Sequence, residues 1–423
     1  MSLKFIHAAD LHLDSPLIGL CKYPGAPDEQ ARGATRRALE NLVDLALAEH
    51  VAFVLIAGDI YDGDWKDYNT GVFFSNQMAR LREENIGAYI LRGNHDAHSQ
   101  ISLQINLPDN VYEFSSKRSE TKKLVELNIA IHGQSFATQS VPDDIAAQYP
   151  TAIPGFFNIG MLHTSASGYS THETYAPCSI SSLVGKGYDY WALGHVHQFK
   201  ILNELPHVVF SGNTQGRNIR ETGDKGCVLV EIDGKEVARV EHIRLDVLQW
   251  ALLDVDVSGS LDIDDVVGRI VRELRLLAAK IDDASLIAAR VTVTGACDAH
   301  ASLCAQQDNL LANLRTSLFD EFGGRAWLEK LKLKTSPNID LDAVAGRDDA
   351  VGQLLRSIRN VGVDQELMLE LLSQFQDLKD RLPSVLTTGE GAIDLTSIDS
   401  IASRLPDVER DLAAYMLSEE AGS

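Results

Sequence analysis

The sequence predicts an α/β protein, on two features of its first half. Five short apolar runs of strand length each end abruptly in polar residues, and segments with helical spacing separate the first three. Runs this short and continuously apolar suit buried strands, and crossovers of helix length favour parallel neighbours. The first run, residues 5–9, precedes Asp10-Leu-His12. The second, residues 53–57, precedes Gly58-Asp59, and the third, residues 88–91, precedes Gly93-Asn94-His95-Asp96. Residues 159–162 lead into His163, and residues 190–193 into Gly194-His195-Val196-His197. Between the first two, residues 35–50 carry Leu39, Leu42, Val43, Ala46 and Leu47 at helical spacing. Between the next two, residues 70–84 carry Val72, Phe73, Met78 and Leu81. In such sheets the loops at the carboxyl ends of the strands form the ligand crevice.

From Val125 the pattern changes. Residues 124–131, 208–210, 227–232 and 237–244 alternate or run short, and Asp233-Gly234 is a hairpin turn, so a second sheet packed on the first is expected. A boundary near residues 245–250 follows. Beyond it, strands at 251–257, 287–293 and 327–333 alternate with helices at 261–281 and 302–322, a small α/β domain. Helices are then expected at 348–361, 364–382 (ended before Pro383) and 407–417. The division expected is 1–248, 249–338 and 339–423.

Composition narrows the function. The chain has 423 residues and a net charge of −22, with 21 basic and 30 acidic residues in 1–250 and 17 and 30 in 251–423. Both halves are acidic, which excludes broad non-specific binding of nucleic acid by the whole surface. A local groove or bound divalent metal can still attract phosphate. No apolar run approaches the ~18 residues of a membrane helix. The start carries Asp10 where a signal peptide would stay apolar, so none is expected. Five scattered cysteines (Cys21, Cys178, Cys227, Cys297, Cys304) form no CxxC, which points to reduced thiols and a cytoplasmic location. Twelve of the 13 histidines lie between His7 and His242.

Taken singly, the polar strand ends are ordinary. Asp-x-His just past a strand points two donors the same way, Gly-Asp is a common turn, and a strand-final His is usually a satisfied one. Gly93-Asn94-His95-Asp96 is more specific: Gly turns tightly, Asn offers a neutral metal oxygen, and His-Asp resembles an oriented acid/base pair. Two imidazoles one residue apart, His195 and His197, form a chelating arrangement. Together, Asp10, His12, Asp59, Asn94, His163, His195 and His197 supply nitrogen and oxygen ligands on one rim, too many for a single four-coordinate zinc. Two ions sharing a carboxylate fit better, and the lack of cysteine ligands favours harder ions such as Mn²⁺.

The ordered series Asp-Leu-His, Gly-Asp-Ile-Tyr-Asp, Gly-Asn-His-Asp, a strand-final His and Gly-His-Val-His resembles the calcineurin-like metallophosphoesterase superfamily over residues 1 to about 245. The resemblance implies a four-layer α-β-β-α sandwich with a dinuclear site. Asp59 would bridge the metals. Asp10, His12 and His197 would complete one site, and Asn94, His163 and His195 the other. His95 would be the catalytic histidine, oriented by Asp96. The opening His7-Ala-Ala-Asp-Leu-His-Leu-Asp-Ser-Pro16 is similar to SbcD-type DNA repair exonucleases. The segments Tyr175-Ala-Pro-Cys178, residues 188–197 and Gly212-Asn-Thr-Gln-Gly-Arg-Asn218 resemble a YhaO-like bacterial branch. In that lineage an α/β capping domain follows, and C-terminal helices dock an SbcC/Rad50-like coiled-coil ATPase. The implied partners are therefore DNA and that ATPase, with no membrane, and a homodimer as a further possibility. The implied activity is a Mn²⁺-dependent 3′–5′ exonuclease with single-strand endonuclease activity. The alternatives are a phosphodiesterase or phosphatase for small phosphoesters, and a scaffold that keeps only the fold. Where eukaryotic and archaeal relatives carry a histidine three positions after the bridging aspartate, this chain has Asp62.

Other residues carry weaker readings. Asp14 and Asp62 are either carboxylates orienting ligand imidazoles or solvated loop acids. Arg217 and Arg220, in a Gly-rich loop, are candidate phosphate clamps against a plain surface reading. His98 and His172 have no motif support, and Cys297 and Cys304 read as packing residues.

Overall fold

The computed structural model describes residues 2–17, 33–62, 67–97, 106–139, 143–166, 178–281, 285–379 and 397–422, with residues 20, 31 and 141. It has two compact units: Met1–Leu252 with Ala278–Arg290 and Phe322–Glu329, and Leu253–Leu277 with Val291–Glu321 and Lys330–Ser423.

In the first unit, β1 (Ser2–Ala8), α1 (Ala34–Ala48), β2 (Phe53–Ala57), α2 (Tyr68–Glu83) and β3 (Gly87–Leu91) follow the expected alternation, with β1, β2 and β3 parallel neighbours. Then come β4 (Val111–Glu113), β5 (Glu120–Leu124), β6 (Ile129–Gly133), β7 (Phe157–His163), α3 (Ile180–Val184) and β8 (Tyr190–Gly194). β9 (Lys200–Glu204), β10 (His207–Phe210), β11 (Gly226–Asp233) and β12 (Glu236–Arg244) complete the set. Two six-stranded sheets result, ordered β12-β11-β1-β2-β3-β4 and β5-β6-β7-β8-β10-β9.

Strand alternation sorts the residues into layers. Phe5, Phe53, Leu55, Ile159, Met161, Tyr190 and Ala192 meet between the sheets. Ile6, Val54 and Ile56 face the other way, against Leu39, Leu42 and Val43 of α1 and Phe74 and Met78 of α2. On the outer face of the second sheet, Leu162, Trp191 and Leu193 pack with Leu183 of α3 and with Ile145 and Tyr149. This is the four-layer α-β-β-α sandwich.

Within the sandwich two sequence expectations need correction. Residues 124–131 are not one strand: β5 ends at Leu124, a 3₁₀ turn spans Val125–Leu127, and Asn128 at φ 55° reverses the chain into β6. Asn is among the few residues that adopt this left-handed conformation readily. Residues 227–232 and 237–244 join the first sheet, not the second. β11 runs antiparallel beside β1 from Ser2↔Asp233 to His7↔Val228, on the side β2 leaves open.

After β12, β13 (Leu248–Asp256), α4 (Ile263–Ala278), β14 (Leu286–Cys297), α5 (His300–Ala305), α6 (Gln307–Phe322) and β15 (Ala326–Pro337) form a three-stranded sheet with helices. The single helix expected at 302–322 is broken at Gln306, whose backbone (φ −123°, ψ 42°) leaves the helical region. In the second unit follow α7 (Leu341–Ala345), α8 (Ala350–Val363), α9 (Gln365–Lys379), α10 (Ile398–Ala402) and α11 (Leu405–Gly422). Val344, Ala345, Val351, Leu355 and Ala413 make a small core there, while Val363, Leu369 and Tyr415 stay exposed. Pro383, His98, His172, Cys21 and Tyr175–Pro177 lie outside the described residues. Among the described residues no helix is long and apolar enough to cross a membrane.

Candidate metal centre

The strand ends deliver their polar residues to one rim because adjacent loops are tied together. Asp10 N–H donates to Gly58 O, His12 N–H to Asp59 O and Leu13 N–H to Ile60 O, so the loops after β1 and β2 run as a pair. The backbone there is forced: Asp10 (φ 54°), His12 (φ 42°), Asp59 (φ 53°) and His195 (φ 98°) all have positive φ. Non-glycine residues seldom adopt such values, and strain of this kind concentrates at functional sites. The neighbouring glycines are required by space. A Cβ on Gly93 would collide with Asp59 Oδ1, and one on Gly58, at φ 97°, with His163 Nδ1.

His163 shows how register sets the site. It closes β7 on the inward-facing parity of Phe157, Ile159 and Met161, so its ring lies between the sheets at the rim. Its Nδ1 lies 2.9 Å from Ala57 O, an oxygen that can only accept, so Nδ1 carries a proton. Its Nε2 faces Asn94 Oδ1 at 3.0 Å and Asp59 Oδ2 at 3.4 Å. Burial alone would lower the His163 pKa, but the negative charges of Asp59 and Asp10 push it up to about 9. This buried edge therefore draws positive charge, and a bound cation meets the same demand as a proton.

Across the rim, His12 Nε2 and His197 Nε2 face each other at 3.3 Å, with Asp59 Oδ2 3.8 Å from the first and Asp10 Oδ1 3.9 Å from the second. His197 Nδ1 is 3.0 Å from Glu221 Oε1, and His12 Nδ1 is 3.6 Å from Asp62 Oδ1. The carboxylate behind His197 favours a proton on its Nδ1, which turns its Nε2 lone pair toward His12 Nε2, an edge suited to holding a cation. Burial, with the charge of Arg217, pushes His12 down to about 3 and keeps it neutral. Burial raises the Asp10 pKa, whereas for Asp59 the surrounding imidazoles, His163 foremost, overcome burial and hold it well below the carboxylate range. Asp10, His12 and His197 bring donor atoms within 4.8 Å of one another, and so do Asp59, His163 and His195. The nitrogen and oxygen donor set, without sulfur, fits hard divalent ions.

Asp59 lies between these groups and also accepts the His95 backbone N–H at 2.9 Å. The His95 side chain is 34% exposed, more open than its neighbours, and its Nδ1 is 3.0 Å from Asp62 Oδ1. Burial alone would lower its pKa, but the Asp62 bond and the charges of Asp59 and Asp62 raise it. The sequence reading gave the orienting role to Asp96, and here the structure corrects it. Asp96 accepts the backbone N–H groups of Ile60, Tyr61 and Gly93 at 2.9–3.1 Å, and burial pushes its carboxyl up to about 7. Asp96 thus stitches two loops together, while Asp62 takes the position against the His95 ring.

Of the other candidates, Asp14 pairs with Arg36 and accepts from Thr70, a local brace between α1 and α2. Arg217 reaches the cluster, its Nη1 3.5 Å from Asp62 and its Nη2 3.7 Å from Glu221. Arg220 is exposed, and among the described residues nothing ties its side chain to the cluster. Cys297 is buried at the end of β14, and Cys304 is exposed beside His300. Glu221 escaped the sequence reading; no motif spacing links it to His197.

Comparisons with known proteins place this arrangement among relatives. Residues 3–199 match the family model described as calcineurin-like phosphoesterase, and residues 250–336 match "Metallophosphoesterase YhaO, middle domain". The chain is 39% identical over 260 residues to "Uncharacterized metallophosphoesterase YhaO" of Bacillus subtilis, covering 60% of this chain and 64% of that protein. It is 22% identical over 285 residues to "DNA double-strand break repair protein Mre11" of Sulfolobus acidocaldarius, covering 64% of this chain and 71% of that one. A protein of the same name from Sulfurisphaera tokodaii is 23% identical over 234 residues, covering 52% and 58%. With the first match spanning the strands that carry all seven donors and the second following in order, residues 3–199 carry a calcineurin-like phosphoesterase domain, and the chain as a whole is similar to the YhaO-like branch.

Proposed function

We propose that this chain is a metal-dependent DNA repair nuclease, a 3′–5′ exonuclease with single-strand endonuclease activity. The observation that carries the reading is the pair of donor groups, Asp10/His12/His197 and Asp59/His163/His195, with Asp59 Oδ2 facing a histidine of each. Asp10, His12, Asp59, Asn94, His163, His195 and His197 would hold two divalent ions, Mn²⁺ in this reading. When bound, such a pair supplies acidified water and neutralises phosphate charge, which offsets the net charge of −22 near DNA. His95 is the proton donor to the leaving oxygen: Asp62 lies 3.0 Å from its Nδ1 and the side chain is 34% exposed. Asp96 supports the loops that carry Asp59 and Asn94.

The domain reading is a nuclease domain at 1–248, a capping domain at 249–338 and helices at 339–423 that dock an SbcC/Rad50-like coiled-coil ATPase in the cytoplasm. The likeness to the Mre11 double-strand break repair proteins supports the DNA substrate, and the exposed Val363, Leu369 and Tyr415 support a docking role for the helices. The test is metal analysis of the purified chain together with hydrolysis of bis(p-nitrophenyl) phosphate and of end-labelled DNA. Two ions per chain, and Mn²⁺-dependent shortening of DNA that a chelator stops, are expected. Hydrolysis of small phosphoesters with DNA left intact, even beside the ATPase, would move the substrate to small molecules. A chain that retains no divalent ion would remove the reading altogether.

A further inference from the structure

Among the described residues, His12, His95 and His197 are backed by two carboxylates. Glu221 Oε1 stands 3.0 Å from His197 Nδ1, while Asp62 Oδ1 stands 3.0 Å from His95 Nδ1 and 3.6 Å from His12 Nδ1. Arg217 lies between the two, with Nη1 3.5 Å from Asp62 Oδ1 and Nη2 3.7 Å from Glu221 Oε1, and its side chain is only 16% exposed. Each carboxylate is also anchored on its far side. Ser15 Oγ donates to Asp62 Oδ2 at 2.7 Å, and Glu221 Oε2 accepts from Asn213 Nδ2 and Arg217 N at 2.8 Å. The loop that carries Arg217 is fastened to the same place by Lys225, whose Nζ donates to His197 O at 2.8 Å.

We propose that Arg217 is a positioning residue that ties Asp62 to Glu221, fixing the orientation of His12, His95 and His197 as one unit. The inference rests on the metal-site reading above and deepens it. One guanidinium lies within ion-pair distance of two part-buried carboxylates that would otherwise repel each other, a task that suits its planar, delocalised charge. The proton-donor ring and two of the metal-facing rings thereby share one support, so disturbing it moves all three. Outer partners of ligand histidines typically contribute ~10–100-fold in metal affinity or activity. This differs from the phosphate clamp suggested by the sequence, in which the guanidinium would meet substrate and leave metal binding alone.

The experiment is calorimetric titration of Mn²⁺ into the metal-free, full-length chain, comparing wild type with Arg217→Gln, Arg217→Lys, Glu221→Gln and Asp62→Asn. The brace predicts a ~10–100-fold loss of Mn²⁺ affinity in Arg217→Gln and little rescue by Lys, which keeps the charge but not the fork. The double variant Arg217→Gln/Glu221→Gln should lose little beyond the worse single one, because both cut the same support. With bis(p-nitrophenyl) phosphate, kcat should fall while KM stays near wild type. Wild-type Mn²⁺ affinity with a raised KM in Arg217→Gln would overturn the brace in favour of the clamp. If Arg217→Gln does not fold, near-isosteric Asp62→Asn carries the test, and unchanged Mn²⁺ affinity and kcat there would equally overturn it. A wild type that binds two Mn²⁺ but hydrolyses no phosphodiester would sink the activity reading alone, with the affinities still judging the brace. A wild type that binds no Mn²⁺ would end both.

Discussion

Buried histidines occupy two regions of the sandwich, its interior and its rim, and they differ in what each ring nitrogen meets. In the interior, His7 lies with Nδ1 3.0 Å from the Tyr190 hydroxyl and Nε2 3.2 Å from Leu193 O. His132 is held between Thr121 Oγ1 at 2.8 Å and Asn158 Oδ1 at 3.1 Å. Each nitrogen has a neutral protein partner, so these rings are complete as they stand. At the rim, His163 and His197 have one nitrogen fixed by a carbonyl or carboxylate, and these two rings and His12 turn a nitrogen toward a second ring or a shared aspartate. His7 is as buried as His12 and His163. Burial and residue type therefore do not separate rim from interior histidine; the partner of the second nitrogen does.

The largest effect that would sharpen this contrast is expected at Asp59. Because it faces both donor groups, Asp59→Ala should abolish retention of both divalent ions and reduce hydrolysis to background. A variant that keeps one ion at full occupancy would contradict the shared role. His95→Ala comes next: both ions and DNA affinity should remain while the rate falls by ~100-fold or more, the scale of a lost positioned acid. An unchanged rate would remove His95 as proton donor. Asp96→Asn should cost less than the His95 change. Its oxygens hold backbone amides rather than the ring. A denaturant titration should show a loss of ~1–3 kcal/mol in stability, the scale of an impaired buried acceptor, with the pH profile of hydrolysis retained.

Much of this was legible in the sequence because the chemistry lies at strand ends, where short apolar runs stop at polar motifs. Register then does the rest: once residues 157–163 form a strand with Phe157 inward, His163 must face inward too. What was hidden depends on contacts between residues distant in sequence. Glu221 meets His197 across 24 positions, and no local pattern announces it. Asp62 and Asp96 lie in different loops, and only the fold of Gly93–Asp96 decides which of them meets the His95 ring. β11 and β12 read correctly as strands, but whether they extend the first sheet or the second depends on the edge that β1 leaves open. The count of histidines mixed both populations, since His7 and His132 fell among the twelve that pointed to chemistry.

The smallest effect on catalysis is expected at His7, where the contrast is most easily broken. His7→Gln should leave two ions bound and the rate unchanged, because neither ring nitrogen faces the donor groups. Its signature belongs to stability and pH. Burial lowers the folded-state pKa of His7 to about 3 from an ordinary 6.5. Above the ordinary value both folded and unfolded chains carry it neutral, and its contribution is fully present. Between the two values the unfolded chain takes up a proton that the folded chain refuses, so stability falls as pH falls, by up to ~1.4 kcal/mol per pH unit. Glutamine cannot titrate, so His7→Gln should start less stable at pH 7 by ~1–3 kcal/mol and lose less on acidification. Denaturant unfolding of the two metal-free chains at pH 7, 6 and 5 reads the difference directly. Parallel pH dependences would show that His7 is not held neutral. A loss of bound metal in His7→Gln would show that interior and rim are one polar network, and the distinction drawn from their ring partners would fall.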